Sequence, residues 1–269
     1  MRKLIILSCV LAVALVATGC QKLLSRDRLN KGVAAFRNAR YQEAVDHFKT
    51  AIELDPTNAN ARLYLATAYF QQYIPGADSP ENNQYAQAAE DGFQDVLKRD
   101  PKNSLAINSI ALLKFNQKKT DEAKEWYSKL ASVDPQNKEA FYTLAVINWT
   151  HAYQDRMEAR AAMGMKPEDP GPLKDKKKRE ALAEKNSATI EEGIKFVTRA
   201  LAIDKEYDDA MAYLNLLHRE KADLMDSTDG YRKEIEVADD WVQKTLDTKK
   251  AKAAKAAQGG QAGIVQEKK

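Results

Sequence analysis

Residues 121–135 read DEAKEWYSKLASVDP, and their spacing decides the fold. Tyr127 follows Ala123 by four residues, and Pro135 follows the tyrosine by eight. The same offsets recur in Ala44, Phe48 and Asp55-Pro56, and again in Ala89, Phe93 and Asp100-Pro101. A step of four puts the alanine and the aromatic on one face of a helix. Alanine suits a position where a second helix packs closely, and the aromatic fills the space beside it. Proline cannot continue a helix, so each Asp-Pro marks a stop followed by a new start. Pro101 and Pro135 lie 34 residues apart, a period that signals stacked helix-turn-helix units.

Each of these helices needs an apolar partner with a small residue at its centre. Gly32 within 29–36, Ala66 within 63–70, Ala111 within 107–115 and Ala145 within 141–149 fit in register. A fourth second-helix reads Gly193, Val197, Ala200 and Ile203-Asp204, with Lys205 where proline is expected. A fifth pair is looser, with 210–217 as first helix and Ala238, Val242 and Thr245 in the second. Taken together these residues resemble the tetratricopeptide repeat family over residues 25 to 247. The resemblance implies an all-α, right-handed superhelical solenoid of about five repeats. Its units would lie near 25–58, 59–103, 104–137, 138–207 and 208–247.

The N-terminus carries a separate signal. Met1-Arg2-Lys3, the apolar stretch Leu4 to Ala17 and then Thr18-Gly19-Cys20 describe an export signal over residues 1–19. Such a stretch is short for a permanent membrane span. Ala17-Thr18-Gly19-Cys20 resembles a bacterial lipobox, which implies that Cys20 is lipidated (palmitate among its chains) and becomes the first mature residue. An ordinary signal or signal anchor with an incidental cysteine is the alternative. Cys9 follows a comparable triplet, but the apolar run before it is too short. With Gln21 rather than aspartate after the cysteine, the expected location is the periplasmic face of the outer membrane if the source is Gram-negative. A lipid anchor supplemented by a further chain gives stable membrane attachment. No thiol follows Cys20, so no disulfide is expected.

Composition narrows the function classes. Loss of Arg2 and Lys3 lowers the formal charge from +3 to +1, since residues 1–19 contain no acid. A near-neutral chain argues against a nucleic-acid partner. The three histidines, His47, His151 and His218, fall in different units with no second ligand at helical spacing, so no metal is expected. Asp226 to Gly230 lacks the acidic spacing of a calcium loop. There is no glycine-rich phosphate loop and no nucleophile elbow. No enzyme activity, cofactor or small-molecule substrate is predicted.

Two interruptions individualise the array. Residues 71–84 separate the helices of unit two, where Ser79 suits an N-cap and Pro80 a first helical residue. Residues 151–185 enlarge unit four, and two over-long helices with a turn at 167–172 are expected to project as a hairpin. That hairpin is either a partner-contact spur or a solvated helix pair; its mixed charges suit the second reading. The tail 248–269, rich in Lys, Ala and Gly, is expected to pass from frayed helix into disorder, as a solubilising tail or a contact to anionic polymer.

The resemblance also implies a ligand face. In tetratricopeptide repeats the first helices line a concave groove, and the matching positions here are Asn30, Val33 and Arg37, then Tyr64, Thr67 and Gln71. Unit three supplies Asn108, Ser109 and Leu112, unit four Tyr142, Thr143 and Val146, and unit five Tyr213 and Leu216. Aromatics mixed with amides and hydroxyls suit an extended or helical peptide. Tyr64, Tyr142 and Tyr213 share one position, as ligand contacts or as edge residues of the core. The set that clamps C-terminal carboxylates in chaperone-binding members is missing. The function so implied is a lipid-anchored adaptor for a protein or peptide partner, or alternatively a structural subunit of an envelope assembly machine.

Overall fold

A computed structural model describes residues 2–167 and 169–266, with side chains over 20–257 in that range. The apolar stretch, Ala17 to Gly19 and Cys9 therefore lie outside the residues whose side chains are described, as do Gln258 to Gly263. Ten helices and no strand occur among the described residues. In chain order they are α1 (Arg2–Arg37), α2 (Tyr41–Leu54), α3 (Ala59–Gln72), α4 (Pro80–Arg99) and α5 (Ser104–Asn116). Then follow α6 (Thr120–Val133), α7 (Lys138–Ala161), α8 (Lys176–Ile203), α9 (Asp208–Asp223) and α10 (Thr228–Gln266). They fall into two compact units, residues 1–129 and 130–269.

In the first unit the repeat pattern becomes packing. Ala44, Phe48, Ala89, Phe93 and Ala123 are fully buried, and Tyr127 nearly so. A Cβ on Gly32 would lie 2.5 Å from the Phe48 ring, so the small residue of α1 makes room for the aromatic of α2. Similarly a Cβ on Gly92 of α4 would sit 2.8 Å from the Ala66 Cβ of α3. Small residues therefore admit ring and backbone at the crossing, rather than simply facing the repeated alanine. Lys114 of α5 is also buried, paired with Glu90 at 2.8 Å and Glu122 at 2.9 Å.

The joints between repeats use four residues, and the proline is not the helix start. Asp55, Asp100 and Asp134 close the preceding helix by backbone bonds to the carbonyls of Ala51, Val96 and Leu130. Three residues later Asn58, Asn103 and Asn137 are the N-caps, accepting from the amides of Ala61, Ala106 and Ala140 at 3.0–3.1 Å. The joint after α8 differs: Tyr207 stands at the cap position and makes no side-chain cap bond. Within two repeats the turn is closed by Ala39 (φ 56°) and Lys118 (φ 59°), left-handed residues just past the ends of α1 and α5.

Both interruptions are packed. Asn82, 5 % exposed, accepts from the Ile74 amide and donates to the carbonyls of Ile74 and Ala77, which pins the 71–84 segment. Ser79 caps α4 and Pro80 begins it, as their chemistry predicts.

In the second unit α7 and α8 have 24 and 28 residues where most of their counterparts have 13 to 20. Their extensions do not project freely. Ala152, Met165, Leu173, Leu182, Ile190 and Leu224 form one core cluster, and the Leu173 amide bonds the Asp223 carbonyl at 3.1 Å. The expected free hairpin is thus folded back onto α9, because its turn carries Leu173 and Met165 as apolar anchors. The helix α10 runs on into the Lys/Ala segment, as far as Gln266. Lys252 pairs with Asp208, and Lys255 with Glu206 at 3.0 Å.

Candidate functional site

α7 carries Lys138, Tyr142, Trp149, Tyr153 and Arg156 at intervals of three, four or seven, hence along one face. α9 lies against α7, and the rings of the two helices form a continuous row. Tyr207 meets Tyr142 at 5.1 Å, Tyr142 meets Tyr213 at 5.4 Å, Tyr213 meets Trp149 at 5.4 Å, and Trp149 meets Tyr153 at 5.0 Å. Edge-on contacts at Tyr213 are the arrangement that ring quadrupoles favour. A cation caps each end: Lys138 lies 4.7 Å from the Tyr207 ring centre and Arg156 5.5 Å from that of Tyr153. Tyr142, Trp149 and Tyr213 are half-buried, and Tyr153 is 36 % exposed. Burial pushes the Tyr142 and Tyr213 phenols up, and burial together with the Glu139 carboxylate does the same for Tyr207. All three remain hydrogen-bond donors at neutral pH.

Beneath the Arg156 end of the row is a buried ionic group. Arg156 pairs with Glu220 at 2.6 Å and Asp223 at 3.1 Å, and Arg160 with Asp223 at 2.7 Å. The Trp149 indole donates to Glu220 at 3.2 Å. Arg160 also donates to the Lys166 and Asp169 carbonyls, so the 162–173 turn is tied to the same group. Burial raises the Glu220 carboxyl to about 7, against the opposing pull of Arg156. A cleft of about 240 Å³ opens here, lined by Arg156, Arg160, Asp169, Arg219, Asp223 and Tyr231. With a carboxylate already beside each arginine, it is a structural latch between α7 and α9.

The positions named by the repeat resemblance fall on first helices, and none is fully buried. Asn30, Val33 and Arg37 are on α1, Tyr64, Thr67 and Gln71 on α3, and Asn108, Ser109 and Leu112 on α5; α1 touches α3, and α3 touches α5. In the second unit Tyr142, Thr143 and Val146 are on α7 and Tyr213 and Leu216 on α9, which packs against it, with Tyr142 and Tyr213 in ring contact. The three equivalent tyrosines differ in setting. Tyr64 stacks on Phe48 at 5.5 Å with 36 % of its surface exposed, whereas Tyr142 and Tyr213 are interlocked within the row. Thr67 and Thr143 bond their own helix through the Leu63 and Glu139 carbonyls.

Sequence reasoning missed Tyr153, Tyr207, Arg156, Arg160, Glu220 and Asp223. For Tyr153 and Arg156 the signal was present in the continuation of the α7 stripe past Trp149, a segment read as insertion; the other four have no local signal. Of the histidines, His218 is held by Glu234 at 2.7 Å and His47 lies 3.8 Å from Glu43. No group of three His, Cys, Asp or Glu side chains suited to a metal ion occurs among the described residues.

Two family models match the chain, one described as TPR repeat over residues 34–72 and one as tetratricopeptide repeat over residues 106–137. The chain carries tetratricopeptide repeats. Among solved structures, one of MamA is 15 % identical, covers 83 % of this chain and 96 % of its own, and has a TM-score of 0.55. MamA from Desulfovibrio magneticus RS-1, residue 41 to its end, is 15 % identical with coverages of 84 % and 96 % and a TM-score of 0.55. YrrB, described as a TPR protein with an unusual peptide-binding site, is 13 % identical with coverages of 83 % and 90 % and a TM-score of 0.50. At such identities the likeness is one of fold. No curated protein sequence matches significantly. The second match covers the pair α5/α6, and the aromatic row on α7 and α9 lies outside both matched segments.

Proposed function

We propose that this tetratricopeptide chain is a non-catalytic, lipid-anchored adaptor of a bacterial envelope that holds a protein partner by an extended or helical peptide segment. One observation carries the reading: the half-exposed row Tyr142, Tyr213, Trp149 and Tyr153, with Val146 one helical turn from Tyr142 and Leu216 one turn from Tyr213. Its rings offer apolar surface to side chains, and its phenols, donors at neutral pH, offer partners to a peptide backbone. Cys20, exposed on α1, is the proposed lipid attachment point, and the periplasmic face of the outer membrane the proposed location in a Gram-negative source.

A photo-crosslinking residue at Val146 or Leu216, both half-buried on the proposed face, tests the adaptor in cells. The expected result is a crosslink to one recurrent segment of a partner, whose synthetic peptide then binds the purified chain at least tenfold more weakly after Leu216→Lys. Equal crosslinking from Gln87, an exposed position on α4, would remove the reading. The anchor is tested separately by Cys20→Ser, which should abolish palmitate incorporation.

A further inference from the structure

The first two turns of α1 beyond residue 19 carry an exposed apolar face flanked by basic side chains. Leu23 is 69 % and Leu24 54 % exposed, two adjacent large apolar side chains open to solvent. Both lie on the side of Cys20, because residues three and four apart are neighbours on a helix. Cys20 is itself exposed. On the opposite side of the same turn Ser25 is fully buried: its hydroxyl donates to the Ala51 carbonyl at 2.7 Å and accepts from the Asn58 amide at 3.0 Å. Those bonds fix the turn against α2 and α3, so the leucines have a set direction relative to the first repeat. Arg26 lies one turn from Leu23 and Arg28 one turn from Leu24, both exposed, and Asp27, one turn on from both leucines, is paired to Lys31 at 2.8 Å. With Lys22 on the Ser25 side, residues 20–31 carry four cations against one acid. Lys22, on the Ser25 side of the helix, and Arg26 add to Thr57, the main cause, in holding the Asp55 carboxyl at the end of α2 low.

We infer that the face formed by Cys20, Leu23 and Leu24, flanked by Arg26 and Arg28, lies in the interface of an anionic lipid bilayer. Adjacent apolar side chains flanked by cations are what a helix needs to lie in a headgroup layer. The charge complementarity selects anionic lipid over a zwitterionic surface. The assignment rests on the lipid-anchor reading and adds to it: the acyl chain would leave the helix on the same side as both leucines, and the Ser25 bonds would then set how the first repeat stands on the membrane.

The test uses the full chain with Cys20 intact, reconstituted into vesicles of phosphatidylethanolamine and phosphatidylglycerol at 3:1 and, separately, of phosphatidylcholine. Leu24→Trp introduces a reporter, and quenching by brominated acyl chains is read above the parent's three tryptophans. Gln42→Trp, on the exposed surface of α2, is the control. Position 24 should be quenched at least severalfold more than position 42 in the anionic vesicles. The difference should shrink severalfold in phosphatidylcholine, or when Arg26 and Arg28 are both changed to Gln. Equal quenching at 24 and 42 in both vesicle types would overturn the inference. Protection of position 24 from iodide without lipid quenching would assign the face to a protein and overturn it equally. Palmitate incorporation at Cys20 is scored independently, so an unlipidated chain and an uncontacted bilayer give different results.

Discussion

Arg160 and Asp223 meet at 2.7 Å with their side chains 2 % and 3 % exposed, joining the end of α7 to the end of α9 across 63 residues of sequence. A pair so placed is strongly destabilising to break, because its surviving member is left as an uncompensated buried charge.

Asp223→Ala should therefore cost about 3–5 kcal/mol of unfolding free energy, read from urea midpoints. Replacing both residues by apolar ones, Arg160→Met with Asp223→Leu, should recover much of that loss. A double variant as unstable as the single would show that the 162–173 turn depends on the arginine's carbonyl bonds instead.

Glu220 gives the second unit a pH dependence of definite sign. Its carboxyl is raised from 4.5 to about 7, first by burial, against the lowering pull of Arg156. A group that binds its proton more tightly when folded contributes stability that is complete below pH 4.5 and is lost as pH rises through about 7. At about 1.4 kcal/mol per pKa unit the contribution is of order 3 kcal/mol. The stability difference between the native chain and Glu220→Gln should accordingly shift against the native chain between pH 5 and pH 8. A difference independent of pH would place the proton elsewhere in the group.

Gly32→Ala removes a flexible residue from α1, which in an open helix would stabilise by up to about 1 kcal/mol. Here the new Cβ would fall 2.5 Å from Phe48, whose ring has no exposed side to retreat to. The expected outcome is destabilisation by about 1–3 kcal/mol, and Ala123→Phe should fall in the same range. Thermal melting of either variant at the native temperature would contradict the packing.

Lys118 adopts φ 59° just beyond α5, a conformation costing a non-glycine residue about 1–2 kcal/mol. Lys118→Gly should therefore stabilise by roughly 0.5–1 kcal/mol after glycine's own entropy cost. Asn103→Ala, at the other end of the same helix, should destabilise by about 1 kcal/mol.

What could be read from sequence was what repeats over short range. Ala44, Phe48 and Pro56 carry their meaning in offsets within one helix, so the fold followed from three copies. Asn58, Asn103 and Asn137 repeat just as regularly, yet the eye stops at the proline before them. The Arg160–Asp223 pair was not legible at all, because nothing local in either residue names a partner 63 positions away. Tyr142 and Tyr213 were found as face positions, whereas their mutual ring contact depends on the crossing of α7 and α9. Leu173 explains the misread hairpin: one apolar residue in a charged segment was enough to fold the turn inward.

Tyr207 stands where the other joints have asparagine, and its ring heads the aromatic row instead of closing a helix end. The third amide of α9, on Ala210, therefore lacks the side-chain acceptor that Ala61, Ala106 and Ala140 possess. In hydrogen exchange the opening turn of α9 should be the first of the four helix starts to take up deuterium. A ligand seated on the row would slow it, so a single backbone amide would report occupancy of the face from the rear.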